Sequence, residues 1–440
     1  MELAFLSTVS RGKIPIATSK DIQLDCVDRH LDTQSRHGAT MQVHRGTWKG
    51  RKVAFKYILR GWFSDGSDSS ESIDGGNRAY RQDMYDLNFE VQIMSKPTLR
   101  SHPNITQLLA VCFSNASATA AFVEPGLIVE LAHEQFPDLG LFFDVDNNPS
   151  RPHHLPFSTA ASLICDIADG IQVLHDHDLI HADIKPGNVL LFPSTTSPCG
   201  LVAKIADFGF VGMTTYTARG VRAPLPQSRP RGGTAEWNAP ECLLVSDPIT
   251  GPGARYTLDY PQYKPGRDIY AFGLLATYIV LDGQSPKQFV DGDLTDVKLA
   301  DKMLDTAVIA IAKHHSKAQE EAEGERSLKS TALAIARATL RLDPQLRSDS
   351  LRSLGLRVLL FNDTASLTIW PTKMFVLAHN LFPGGAHEFR CSGLYDAYWA
   401  SPAGFRERVY ASFVKLSEGS GGMLGQAVDR GVWEALGRRE

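Results

Sequence analysis

The stretch HADIKPGN at residues 181–188 brings a carboxylate (Asp183), an ammonium (Lys185) and a carboxamide (Asn188) into one short loop. A carboxylate can orient a hydroxyl and accept its proton. An ammonium can neutralise an anionic group, and an amide oxygen suits a hard divalent cation. Three further groups lie at a distance along the chain: Lys56 closing VAFK (53–56), Asp207 opening DFG (207–209), and APE (239–241) inside GGTAEWNAPE. A lone lysine in a strand is usually solvated, and a lone carboxylate is usually a cap. The case for chemistry rests on all four groups and their order.

A fold must gather residues spread this widely, and the chain is long enough to provide one. Its 440 residues allow two or three ordinary domains or one large bilobal one, and 43% are hydrophobic, enough for a sizeable core. The net charge is −4, from 45 basic and 49 acidic residues. That balance gives no reason to expect a nucleic-acid partner. The cysteines at 26, 112, 165, 199, 242 and 391 form no C-x-x-C pair and show no metal-ligand spacing. They read as buried or half-buried free thiols in a reducing compartment. MELAFLSTVSRGK lacks the basic start and long apolar run of a secretory signal. The longest apolar stretch, near YAFGLLATYIVL, falls short of the roughly 20 residues a membrane span needs. A soluble, cytoplasmic protein without a membrane partner is expected, and no basic cluster requires nuclear entry.

Residues 1–30 read as an irregular extension. MQVHRGTWKGRKVAFKYI reads as strands punctuated by Gly46 and Gly50. GWFSDGSDSSESIDGGN is too polar to bury and reads as a solvated insert. RQDMYDLNFEVQIMSK predicts a helix with Leu87, Val91 and Met94 on one face, and ITQLLAVCF and GLIVELA predict strands. Beyond about residue 133 the pattern turns helical. STAASLICDIADGIQVLHDH places Leu163, Ile167, Ile171 and Leu174 on one face, with Ser158 as the expected N-cap. RDIYAFGLLATYIVL is apolar nearly all round, which predicts a buried helix, and more helices fill 297–350. In the tail, TIWPTKMFVLAHNLF is the most apolar part.

The four motifs, in this order, resemble the protein-kinase signature set from about residue 36 to 348. The resemblance implies an α+β, bilobal protein-kinase-like fold. It would have a small antiparallel-sheet N-lobe carrying the family's αC helix and a larger, mainly helical C-lobe. The implied layout is an N-terminal extension (1–30), an N-lobe (31–132, with a flexible insert at 61–77), a C-lobe (133–352) and a C-terminal extension packing on the C-lobe (353–440).

The same resemblance implies the site. ATP and Mg²⁺ would be the cofactors and a protein the substrate. Asp183 would be the catalytic base, with Lys185 steadying the γ-phosphate charge and the Thr234 hydroxyl bridging the two. Asn188 and Asp207 would be the metal ligands. Lys56 would hold the ATP phosphates, steadied by Glu90. Val43 and Ala54 would cover one adenine face and Leu190 the other. Backbone groups of Glu130, Leu131 and Ala132 would read the adenine edge, with Val129 at the back of the pocket. Asp268 would brace the catalytic loop and Arg347 would pair with Glu241. His181, Phe208, Met94 and Leu108 would form an apolar column. Lys185 and Thr234 resemble serine/threonine rather than tyrosine kinases.

Three departures from the family pattern stand out. The glycine-rich loop reads RHGATMQV, so only Gly38 remains. Ala182 replaces the arginine that usually precedes the catalytic aspartate, which makes this a non-RD type whose activity should not need phosphorylation of its activation segment. The segment between Glu90 and His102 is also slightly long. Two rival readings are a pseudokinase, serving as a nucleotide-binding or scaffolding module, and a small-molecule phosphotransferase. The complete set of Lys56, Glu90, Asp183, Asn188 and Asp207 argues against the first, and the APE segment against the second.

Overall fold

A computed structural model of the chain describes residues 2–18, 21–24, 41–58, 84, 86–115, 123–195, 197, 199–216, 222–224, 233–243, 264–315, 323–354 and 356. Gly38, the insert at 61–77 and nearly all of the 353–440 extension lie outside the described residues. Two compact units emerge. The first comprises Met1–Phe142, Gly187–Thr195 and Gly200–Gly209, and the second Phe143–Pro186, Thr196–Cys199 and Phe210–Glu440.

The first unit opens with α1 (Glu2–Arg11), β1 (Ile16–Ala17) and β2 (Ile22–Leu24). The irregular extension expected here is therefore a helix and two strands. Phe5, Val9, Ile14 and Ala17 are buried, and the Phe5 ring meets Phe113 edge-on at 6.1 Å. Strands of two and three residues are too short to show a period, which is why the sequence pattern missed them.

The unit continues with β3 (Met41–Trp48), β4 (Arg51–Ile58), a helix α2 across 86–94, α3 (Pro97–Arg100), β5 (Leu108–Asn115) and β6 (Val123–Glu130). These strands form a six-stranded sheet in the order β1-β5-β6-β4-β3-β2. It is antiparallel except for β1, which runs parallel to β5. Lys49 and Gly50, with φ of 51° and 76°, form the two-residue turn between β3 and β4. Positive φ at both positions is what a tight right-twisted hairpin requires, and glycine adopts it without penalty. Leu87, Val91 and Met94 of α2 are all buried, as their spacing predicts. The extra length after Glu90 is α3, which starts on Pro97 and ends before His102.

The second unit is mainly helical. After α4 (Leu139–Phe143), which spans the unit boundary, it contains α5 (Phe157–Asp176) and the short β7 (Leu179–Ile180). The hairpin β8 (Val189–Pro193) with β9 (Leu201–Ile205) belongs to the first unit. The second unit resumes with β10 (Gly212–Tyr216), β11 (Arg222–Pro224), α6 (Gly266–Val280), α7 (Pro286–Phe289), α8 (Leu294–Leu299), α9 (Met303–His315) and α10 (Glu323–Thr339). Every residue of α6 from Arg267 to Val280 is buried, in keeping with its all-round apolar pattern. Gly273 lets α10 approach, since a Cβ there would overlap the Thr339 hydroxyl.

Ser158 does not cap α5. The cap is Pro156, whose carbonyl accepts from both Thr159 and Ala160 at 3.0 Å and so starts the helix a residue before Ser158. Among the described residues, α5 is the helix long and apolar enough to cross a membrane by length and composition, and most of that stretch is packed inside the protein.

Candidate active site

In the first unit the site begins with strand alternation. Val53 and Phe55 of β4 point into the sheet's apolar cluster with Ala17, Ala110 and Ile128. A period of two therefore sends Ala54 and Lys56 to the opposite face. There the Lys56 ammonium donates to both Glu90 carboxylate oxygens, at 2.8 and 3.0 Å, and to Asp207 Oδ1 at 3.2 Å. Burial alone would push the ammonium down, but Asp207 and Glu90 outweigh it and hold the pKa above its ordinary value. Glu90 is buried on α2, whereas the Asp207 side chain is 46% exposed. Asp207 sits at φ 64° in the left-handed region.

Ala54 lies opposite Val129 in the β4–β6 ladder, and both are buried. Val43 is exposed, Leu190 and Leu131 are half-buried, and Ala132 is buried. Glu130 is more engaged than the sequence suggested. Its carboxylate takes Lys204 Nζ at 2.7 and 2.8 Å and the Gln107 amide at 2.8 Å, while its own amide donates to the Gln107 carbonyl at 3.2 Å. Asn188 is buried at the end of a 3-10 turn, and its carbonyl accepts from Ala206. Met94, Leu108 and Phe208 are each buried in this unit, and His181 is buried in the other.

The second unit holds Asp183, Lys185 and Thr234 in one closed set. Lys185 Nζ donates to Asp183 Oδ2 at 2.6 Å and to the Thr234 hydroxyl at 2.8 Å. The Thr234 hydroxyl and amide both donate to Asp183 Oδ1, at 2.8 and 2.9 Å. Asp183 is thus fixed through both oxygens.

The loop carrying Asp183 hangs from α6. Asp268 accepts from the amides of His181 (2.7 Å) and Ala182 (2.9 Å) and from His175 Nε2 (2.9 Å). Burial would raise its pKa, but the His175 bond, the nearby imidazoles and the Ala182 amide hold it below the usual carboxylate range. Arg267 Nη2 donates to the Ala182 carbonyl at 2.9 Å and to Asn238 Oδ1 at 3.4 Å. Ala182 itself is left-handed at φ 68°. Opposite it, Gly233 has φ 78°, and a Cβ there would overlap the Ala182 carbonyl oxygen.

The segment from Ala235 to Glu241 is anchored at two points. Lys298 donates to the carbonyls of Ala235, Glu236 and Asn238 at 3.1, 2.7 and 2.8 Å. Arg347 grips Glu241 with two bonds, at 2.6 and 2.7 Å, the fork geometry a carboxylate fits best.

Sequence reasoning missed Lys204, Arg267, Lys298 and His175. Lys204 and Arg267 carried a usable signal, being basic residues in or at the edge of the largely apolar runs LVAKIADFG and GRDIYAFG. A charge in such a run must find a partner when buried. Lys298 and His175 carried none, because each stands among polar and charged neighbours where a solvated side chain is the ordinary reading.

A family model described as the protein kinase domain matches residues 40–354. The chain belongs to the protein kinase family. Its kinase domain is the α+β arrangement described above. Three relatives come from Dictyostelium discoideum, each named as a probable serine/threonine-protein kinase. One is 28% identical over 54% of this chain and 11% of its own length. A second is 23% identical over 69% of this chain and 18% of its own. The third is 24% identical over 63% and 54% respectively. The chain therefore spans between about a tenth and about half of the length of these relatives.

Proposed function

We propose that this kinase domain transfers the terminal phosphoryl group of ATP to serine and threonine hydroxyls of protein substrates, with Asp183 as the base. The observation that carries the reading is the Lys56 ammonium held by Glu90 at 2.8 Å and Asp207 at 3.2 Å. A buried ammonium steadied by two carboxylates is a fixed positive charge, which is what a polyphosphate needs.

Lys56 would hold the ATP phosphates. Ala54, Val129 and Leu190 would pack on the adenine, and the Glu130–Ala132 backbone would meet its edge. Asp183 would accept a hydrogen bond from the substrate hydroxyl and take its proton as that oxygen bonds to phosphorus. The bond from phosphorus to the bridging oxygen breaks, and ADP leaves with the electron pair. Lys185 would neutralise charge on the moving group, and Thr234 keeps Asp183 and Lys185 oriented.

Asn188 and Asp207 offer an amide oxygen and a carboxylate oxygen, a hard donor set that suits Mg²⁺. Lys56, Glu90 and Asp207 sum to one net negative charge, and Asp207 remains nearly half exposed, so a divalent cation fits the local charge. When bound, the ion would neutralise charge on the phosphate oxygens.

The test is transfer from labelled ATP with Mg²⁺ to a degenerate peptide library, with nucleotide binding measured separately. Asp183→Asn should lower transfer at least about 100-fold and leave nucleotide binding in place. Lys56→Met should lower both. Equal transfer by wild type and Asp183→Asn would overturn the assignment of the base. Nucleotide binding by wild type without any transfer would mark the domain as a scaffold.

A further inference from the structure

Away from the kinase machinery, three donor atoms from distant parts of the second unit converge. His154 Nδ1 lies 2.9 Å from Asp282 Oδ2, and His314 Nε2 lies 2.9 Å from the same oxygen. All three ligand atoms fall within 4.8 Å of one another. His154 comes from the loop before α5, Asp282 from the turn after α6, and His314 from the end of α9.

The geometry is organised around one point. Asp282 Oδ1 is occupied by the Leu155 amide at 2.7 Å, which fixes the carboxylate and leaves Oδ2 facing both imidazoles. The two ring planes lie at 76° to one another, with centroids 5.4 Å apart. Asp282 also holds a left-handed φ of 53° at the C-terminal end of α6. There a carboxylate adds to the negative end of the helix dipole, and a cation is favoured. Arg151 serves the backbone part of that end, donating to the Asp282 carbonyl at 3.2 Å.

We propose that His154 Nδ1, Asp282 Oδ2 and His314 Nε2 form a three-ligand site for a zinc-type divalent ion, with water as the fourth ligand. Two imidazoles and a carboxylate are borderline donors, better suited to zinc or cobalt than to magnesium. Ligands at ordinary zinc distances around a tetrahedral ion lie about 3.3 Å apart, so the pairs at 2.9 Å need open only slightly. To ligate the ion, each imidazole must free the nitrogen that now faces Asp282 Oδ2, its hydrogen moving to the other ring nitrogen or leaving. The exposed His154 side chain gives the ion and its water an entry path. A bound ion would staple the α5 approach, the α6 end and the α9 end together. The proposal does not depend on phosphoryl transfer.

The test uses the full chain, stripped with chelator and kept in excess Mg²⁺ so that hard oxygen sites stay occupied. Titration with Co²⁺ should saturate at one equivalent with the visible bands of four-coordinate cobalt, without a thiolate charge-transfer band, and Zn²⁺ should displace it. His154→Gln changes an exposed side chain and should fold normally, yet weaken Co²⁺ binding at least about tenfold. His314→Gln should do the same, and His153→Gln should bind as wild type does. Absence of the bands in wild type, their persistence in His154→Gln, or their loss in His153→Gln would each overturn the site.

Discussion

Arg267 donates from Nη2 to the carbonyl oxygen of Ala182 at 2.9 Å, across 85 residues of chain. A guanidinium carried on the first turn of α6 thus holds the backbone of the loop that bears Asp183. It is buried, and it also reaches Asn238 Oδ1 at 3.4 Å. Arg267→Ala should leave the Ala182 carbonyl without this donor. The expected cost is about 1–3 kcal/mol of unfolding free energy, read by urea denaturation. Arg267→Lys should recover part of it, because an ammonium keeps the charge but lacks the planar fork. An Ala variant as stable as wild type would show that this bond contributes nothing.

Ala182 cannot gather a phosphate, and the start of the activation segment is already ordered by strand pairing. Gly212 and Met213 pair with β7, and Thr214, Thr215 and Tyr216 pair with β11. Replacing Thr214, Thr215, Tyr216 and Thr217 by non-phosphorylatable residues should therefore leave peptide phosphorylation within about threefold of wild type. Thr217 lies outside the described residues. Loss of most activity, restored by acidic substitutions, would refute this.

Lys298 gives a pH dependence with a definite sign. Burial pushes its ammonium down from 10.5 to about 8, against the opposing pull of Glu236 and Cys242. Between those two values the unfolded chain holds a proton that the folded chain has released. Stability carried by this group therefore rises with pH across the window, by at most about 1.4 kcal/mol per pH unit, and is level below about 8. The difference in unfolding free energy between wild type and Lys298→Met should climb accordingly between pH 8 and pH 10. A flat difference would mean that the lysine keeps its proton throughout.

The N-terminal helix is part of the first unit's core. Phe5 is 1% exposed and Val9 is 2% exposed. Phe5→Ala should cost about 3–5 kcal/mol, the usual penalty for emptying a buried aromatic site. Thermal or urea unfolding measures it directly, and a loss under about 1 kcal/mol would place α1 outside the cooperative core.

Long periodic segments were legible without coordinates. The run MQVHRGTWKGRKVAFKYI marked β3 and β4, the spacing of Leu87, Val91 and Met94 marked α2, and the apolar run of α6 announced its burial. Ser158 failed as a cap because the Pro156 carbonyl had already started the helix. The chain before residue 25 was misread because β1 and β2 acquire meaning only beside β5 and β3.

The sequence by itself determined which residue types the site contains and the order in which they arrive, since signature chemistry is written in local spacing. Tertiary structure alone decided the partnerships: Glu130 with Lys204, Ala182 with Arg267, the 235–238 carbonyls with Lys298, and Asp282 with two histidines. The physical reason is that a buried charge is set by whatever the packed chain brings within about 3 Å of it. That proximity joins residues tens to more than a hundred positions apart, a relation no local pattern records.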